Sequence, residues 1–103
     1  MTNIYDTIIL GGGVGGLTAA IYTGRDAIKT LIIEGELVSN TELPGGALML
    51  TESIENFPGY SGTGEGLIEI LRSQVDALEH VERAEGLAVS LAFLENGLVE
   101  VAY

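Results

Sequence analysis

Short apolar runs alternate along this chain with longer stretches whose apolar residues recur at helical spacing. The short runs predict β-strands at residues 4–10, 30–34 and 80–84. Apolar positions that repeat every three or four residues predict amphipathic helices at 14–26 and 64–79. This order of strand, helix, strand, helix and strand is typical of an α/β protein with a parallel sheet.

The rest of the chain has a different pattern. Apolar runs at 87–94 and 98–103 flank Asn96-Gly97, which is a strong signal for a β-hairpin. Residues 35–63 have no clear period, and we interpret them as an irregular segment that contacts a ligand. Residues 1–103 are therefore predicted to form a single α/β domain with three layers. Its parts are a short parallel sheet, two covering helices and a C-terminal hairpin.

A cluster of glycines directly follows the first predicted strand. Gly11, Gly13 and Gly16 are spaced as G-x-G-x-x-G and lie at the start of the first predicted helix. In this motif the glycines permit a sharp turn, a close approach of the backbone to a pyrophosphate, and tight packing of helix on sheet. The helix adds free N–H groups and the positive end of its dipole. The pattern predicts a dinucleotide-binding turn.

An acidic residue supports this prediction. Glu34 ends the second predicted strand, 23 residues after Gly11. An acid about 20 residues after the first glycine hydrogen-bonds a ribose hydroxyl in dinucleotide-binding βαβ units. A βαβ unit that binds no ligand is the alternative interpretation.

Composition and charge exclude several classes of function. The 103 residues carry 15 acidic and 4 basic side chains, and the net charge of −11 disfavours binding to nucleic acid or anionic membranes. A well-solvated surface or an adaptation to high salt would explain this acidity. No apolar run is long enough for a membrane span, and no basic segment precedes an apolar stretch. We therefore expect a cytoplasmic protein that does not bind membranes.

Side chains with their own chemistry are scarce. The chain has no cysteine and a single histidine, His80, which would need partner residues to bind a metal or transfer protons. We therefore predict no metal site and no catalytic side chain. Any redox chemistry would take place on a bound cofactor.

Several segments in a fixed order resemble a known family. They read YDTIILGGGVGGLTAAIY at 5–22, LIIEG at 31–35 and PGGALMLTESIENFPGY at 44–60. Over most of residues 1–80 the chain is similar to the N-terminal FAD-binding part of thioredoxin reductases and related pyridine nucleotide–disulphide oxidoreductases. The resemblance implies a truncated Rossmann-like FAD/NAD(P)-binding fold, with FAD as the cofactor.

The resemblance also implies which residues contact FAD. The glycine turn would line the diphosphate, while Glu34 and Gly35 would meet the adenosine ribose. The backbone near Gly86 and Leu87 would pass the adenine, and Asn56 would lie on the flavin side. The cofactor-binding residues implied are Gly11, Gly12, Gly13, Val14, Gly15, Gly16, Glu34, Gly35, Gly45, Gly46, Ala47, Leu48 and Asn56.

The chain departs from the family pattern in four respects. Ala47 stands where the family usually has glutamine. The C-x-x-C disulphide motif is absent, and so are the NADPH domain and the distal segment that closes the FAD site. We therefore expect an FAD-binding module of a thioredoxin-reductase-like oxidoreductase, whose remaining parts come from another chain or were lost. Its expected partners are FAD and either a second chain that supplies the missing domain or a second copy in a homodimer. A non-catalytic or regulatory dinucleotide-binding module and a ligand-free minimal Rossmann domain are the alternatives.

Overall fold

A computed structural model describes residues 3–35 and 52–103 of the chain. These ranges contain two helices and seven strands: β1 (Thr7–Leu10), α1 (Val14–Arg25), β2 (Thr30–Glu34), β3 (Ile54–Phe57), β4 (Tyr60–Gly62), α2 (Gly64–Asp76), β5 (Val81–Glu85), β6 (Ser90–Phe93) and β7 (Val99–Ala102). The predicted βαβ unit, second helix and third strand are confirmed. The first strand is shorter than predicted, and the second helix ends at Asp76 rather than at residue 79.

Strands β1, β2 and β5 form a parallel sheet with β2 in the centre. Leu10 lies beside Ile33, which in turn lies beside Ala84. Because the strands are parallel and in register, their carboxyl ends meet at one edge of the sheet. In open α/β sheets, ligands bind outside this edge.

Both helices bury apolar side chains in one core with the central strand. The buried members of this core are Leu17, Ala20, Ile32, Ile54, Leu67, Ile68, Leu71 and Val75. Helix α1 approaches β5 closely, since a Cβ on Gly24 would come within 2.7 Å of Val81. Small residues in α1 therefore allow the helix to lie flat on the sheet.

Helix α2 has a clear local cause for its start. The Thr63 side chain accepts a hydrogen bond from the Gly66 N–H at 3.0 Å, which satisfies one of the free donors of the first turn. Leu67, Leu71 and Val75 then recur at intervals of four and are buried. The cap and the apolar stripe together position α2 over the sheet.

Strands β6 and β7 form the predicted C-terminal hairpin. Gly97 has a φ of +87°, as expected for the glycine of an Asn-Gly turn. The hairpin provides a third layer, separated from the sheet by a cavity of about 680 Å³ whose walls include Ile8, Leu31, Leu91, Val101 and Tyr103. The three-layer arrangement predicted from the sequence is thus present.

The sequence predicts an irregular segment at residues 35–63, and this prediction is wrong for residues 54–62. Strands β3 and β4 pair in an antiparallel hairpin, with Phe57 opposite Tyr60 across a turn in which Gly59 has a φ of +80°. Strands of four and three residues around a proline are too short to give a periodic signal.

Among the described residues, no helix has the length and apolar character needed to cross a bilayer.

Candidate functional site

The glycine turn begins where β1 ends. Gly11 has a φ of +108°, in the left-handed region that favours glycine, and its N–H donates to the carbonyl of Ile33 at 2.9 Å. Helix α1 begins at Val14, and its N-cap residue Gly13 has no side chain to cap the first turn. Among the described residues, no side chain accepts a hydrogen bond from the N–H groups at this helix end, which makes them suited to an anionic group.

The third glycine of the motif is required by the geometry of the turn. A Cβ on Gly16 would lie 1.9 Å from the carbonyl oxygen of Gly11 and 3.4 Å from a methyl group of Ile9. Any larger residue would push the turn away from the helix. Gly15, by contrast, has no atom of the described residues within 4 Å of the position that its Cβ would occupy.

The acid at the end of β2 lies directly beside this turn. A Cβ on Gly12 would come within 2.4 Å of both Cγ and Oε1 of Glu34. Both residues are buried, and Glu34 is only 3% exposed. The turn and the acid, predicted from separate parts of the sequence, thus form one structure.

Two arginines compensate the charge of this buried carboxylate. Arg72 of α2 donates from Nε to Oε1 of Glu34 at 3.3 Å, and Arg83 of β5 donates from Nη1 to Oε2 at 3.0 Å. A carboxylate buried without such partners would be strongly destabilising. Glu34 is therefore a buried ion-pair centre as well as a candidate ribose ligand.

Arg83 is itself held by a second carboxylate. Its Nε and Nη2 donate to the two oxygens of Asp76 at 2.7 and 2.9 Å. This bidentate hydrogen bond lowers the pKa of Asp76 and, with a smaller contribution from Glu34, raises the pKa of Arg83. The network ties the end of α2 and strand β5 to the end of β2.

A groove of about 340 Å³ lies at the carboxyl edge of the sheet. Its walls are formed mainly by glycines and small apolar residues: Leu10, Gly11, Ile33, Gly35, Gly86, Leu87 and Ala88. The N–H of Gly86 donates to the carbonyl of Glu34 at 2.7 Å, so the end of β5 is held next to Glu34. The groove thus brings together Gly35, Gly86 and Leu87, which the resemblance assigns to the adenosine side, with Gly11 of the glycine turn.

Of the residues that the resemblance assigns to the flavin side, only Asn56 lies in the described part of the chain. Asn56 lies in β3 with an exposed side chain and is not part of the groove. Gly45, Gly46, Ala47 and Leu48 lie outside the described residues.

Arg72 and Arg83 were missed by the sequence reasoning. They are two of only four basic residues in a chain with 15 acids, and this scarcity was the available signal. Their pairing with Glu34 could not be read directly, because they lie 38 and 49 residues away from it along the chain.

Comparison with known proteins places this chain in a family. The model of the family described as pyridine nucleotide-disulphide oxidoreductase matches residues 5–96. NADPH-dependent thioredoxin reductase 3 of Arabidopsis thaliana is 39% identical over 94 residues, which are 86% of this chain and 17% of that protein. Thioredoxin reductase of Streptomyces coelicolor is 40% identical over 78 residues, or 74% of this chain and 23% of that protein.

Solved structures agree with the sequence comparison. The crystal structure of Lactococcus lactis thioredoxin reductase superimposes with a TM-score of 0.81 and 33% identity, covering 96% of this chain and 30% of the other. The resemblance inferred from the sequence is confirmed, and the chain corresponds to the FAD-binding portion of such oxidoreductases. It spans less than a quarter of the length of the curated relatives named here.

Proposed function

The chain belongs to the pyridine nucleotide-disulphide oxidoreductase family, and on that premise we propose that it binds FAD as a module of a thioredoxin-reductase-like oxidoreductase. The glycine turn would hold the diphosphate, with Glu34 and Gly35 at the adenosine ribose. The adenine would lie along the groove at Gly86 and Leu87.

The observation that carries this proposal is the close contact around Gly16. Since a Cβ there would lie 1.9 Å from the Gly11 carbonyl, only glycine allows the turn to fold tightly over the start of α1. Within residues 3–35 and 52–103, no side chain accepts from the amides beyond Gly13. Unpaired amides and a helix dipole at one point are suited to a diphosphate.

The residues present fit FAD on its adenosine side. The groove has glycine at three of its seven wall positions, so the backbone can approach a flat ring without Cβ atoms between them. Its volume of about 340 Å³ lies within the range of small-molecule sites. On the flavin side, the assignment of Gly45, Gly46, Ala47, Leu48 and Asn56 stays a proposal that rests on the resemblance.

The chain's own residues contribute binding and orientation to the reaction. When bound, FAD supplies the electron-transfer chemistry. The 103 residues contain no cysteine, so a redox disulphide would have to come from polypeptide outside them. We propose that a second chain supplies the remaining parts or that the chain forms a homodimer, and that the protein acts in the cytoplasm.

The lack of cysteine also favours a second candidate, a dinucleotide-binding module without catalysis. The two are separated by adding NADPH and an electron acceptor to the FAD-loaded protein. Electron transfer supports the oxidoreductase module, whereas retained FAD without transfer, even with a chain that supplies the NADPH domain and the disulphide, supports the non-catalytic module.

Titration of the purified protein with FAD, followed by the visible flavin spectrum, tests the proposal. We expect saturable binding of one FAD per chain by the wild type and none by Gly13→Val, which places a branched side chain where the diphosphate would lie. Circular dichroism of both proteins serves as the folding control. A folded wild-type protein that takes up no FAD at millimolar concentration would overturn the proposal.

A further inference from the structure

The carboxylate of Glu34 is fixed from two sides. Its side chain is 4% accessible, and each oxygen accepts a hydrogen bond from a different arginine. Arg72 comes from α2 and Arg83 from β5, so rotation of the carboxylate would break at least one of the two bonds. Gly12 packs against the same side chain and limits its movement further.

The two arginines do not use all the acceptor positions of the carboxylate. A carboxylate offers about four lone-pair positions to donors, and the two arginines occupy one on each oxygen. The remaining positions can accept the hydroxyl groups of a ribose. The arginines therefore need not compete with a ligand for Glu34.

Arg72 has a second buried donor besides the Nε–H that binds Glu34. Its Nη2 atom is buried and has no hydrogen-bond partner among the described residues. A buried donor of this kind is uncommon, and each instance calls for an explanation such as a ligand or a water. Arg72 is thus suited to hold Glu34 and to donate to an oxygen of the same ligand.

We propose that Arg72 and Arg83 are positioning residues for ribose recognition. They hold the Glu34 carboxylate in the orientation that accepts the adenosine 2′- and 3′-hydroxyl groups. This inference rests on the proposed binding of FAD, and it assigns a role to two residues that the glycine motif does not include.

The test compares the binding of ADP and 2′-deoxy-ADP, which differ by one ribose hydroxyl. We expect the wild type to prefer ADP by about tenfold, the value of one hydrogen bond to a charged group. Arg72→Gln should bring the ratio of the two dissociation constants close to one. Arg25→Gln, which changes an exposed arginine at the end of α1, is the matched control and should keep the wild-type ratio.

A general loss of stability would weaken both ligands equally, so the ratio separates positioning from a purely structural role. If Arg72→Gln does not fold, the ratio is measured in Arg72→Lys, which keeps the charge but lacks the Nε–H donor. A wild-type ratio in a folded Arg72 variant would overturn this inference alone. Failure of the wild type to bind either ADP or FAD would overturn the proposed function and this inference with it.

Discussion

Gly12 and Glu34 pack directly against each other, so closely that a Cβ on Gly12 would lie 2.4 Å from Oε1 of Glu34. The glycine turn and the acid at the end of β2 are therefore one unit. Glu34 cannot move away freely, because Arg72 and Arg83 hold its two oxygens. A change on either side of this contact should affect the other.

The contact gives a direct prediction for Gly12→Ala. The added methyl group should displace the Glu34 carboxylate from its arginines and lower the free energy of unfolding by about 1–3 kcal/mol, the cost of overpacking a buried site. In a Glu34→Ala background, the same substitution should cost much less, because the clashing atoms are gone. Urea denaturation of the four proteins of this double-mutant cycle measures the coupling. Equal costs in the two backgrounds would contradict the contact.

Two glycines of α1 should respond in opposite ways to the same substitution. Gly15→Ala should raise the free energy of unfolding by about 0.5–1 kcal/mol, since alanine favours the helix and no described residue lies within 4 Å of the added methyl group. Gly24→Ala should lower it by about 1–3 kcal/mol, because the new methyl group would clash with Val81 and Leu78. Thermal or urea unfolding compares the two variants. Stabilisation by both would contradict the close packing of α1 on β5.

The N-cap of α2 should contribute measurably to stability. Thr63→Ala removes the side-chain acceptor for the Gly66 N–H and should lower the free energy of unfolding by about 1 kcal/mol. Thr63→Ser keeps the hydroxyl group and should retain most of the wild-type value. If the serine variant lost as much as the alanine variant, the effect would come from packing and not from the cap.

Tyr5 should titrate at unusually high pH. Its hydroxyl donates to Oε2 of Glu82 at 2.6 Å, and this bond to a carboxylate raises the pKa of Tyr5 from 10.0 to about 12. The stabilisation from this bond is therefore present below pH 10.0 and is lost as the pH rises through about 12.

Phenolate absorbance of the wild type minus that of Tyr5→Phe isolates the Tyr5 transition. Glu82→Gln, which removes the negative charge, should bring the transition back towards pH 10.0. A difference signal already centred near that value in the wild type would show that the hydrogen bond does not persist in solution.

Sequence reasoning was most successful where a local pattern has a local cause. The spacing of Gly11, Gly13 and Gly16 indicated a tight turn, and the structure shows why Gly16 cannot carry a side chain. Asn96-Gly97 likewise predicted the position of the C-terminal hairpin, which β6 and β7 form. In these cases, steric limits within a few residues determine the conformation.

The missed features depend on packing between distant segments. Arg83 meets Glu34 only because β5 pairs with β2 in one register, and Arg72 meets it only because α2 lies over the same strand end. The hairpin of β3 and β4 was missed because its strands are too short to show alternation. The small number of basic residues could have drawn attention to the two arginines. Their pairing with Glu34, however, depends on the tertiary fold.

On the proposed function, the glycine turn and Glu34 bind the adenosine diphosphate half of FAD. Equilibrium dialysis of the purified chain with FAD, using ADP and flavin mononucleotide as competitors, tests it most directly. The expected result is that ADP displaces FAD whereas flavin mononucleotide, which lacks the adenosine, does not. Displacement by flavin mononucleotide with no effect of ADP would contradict the claim.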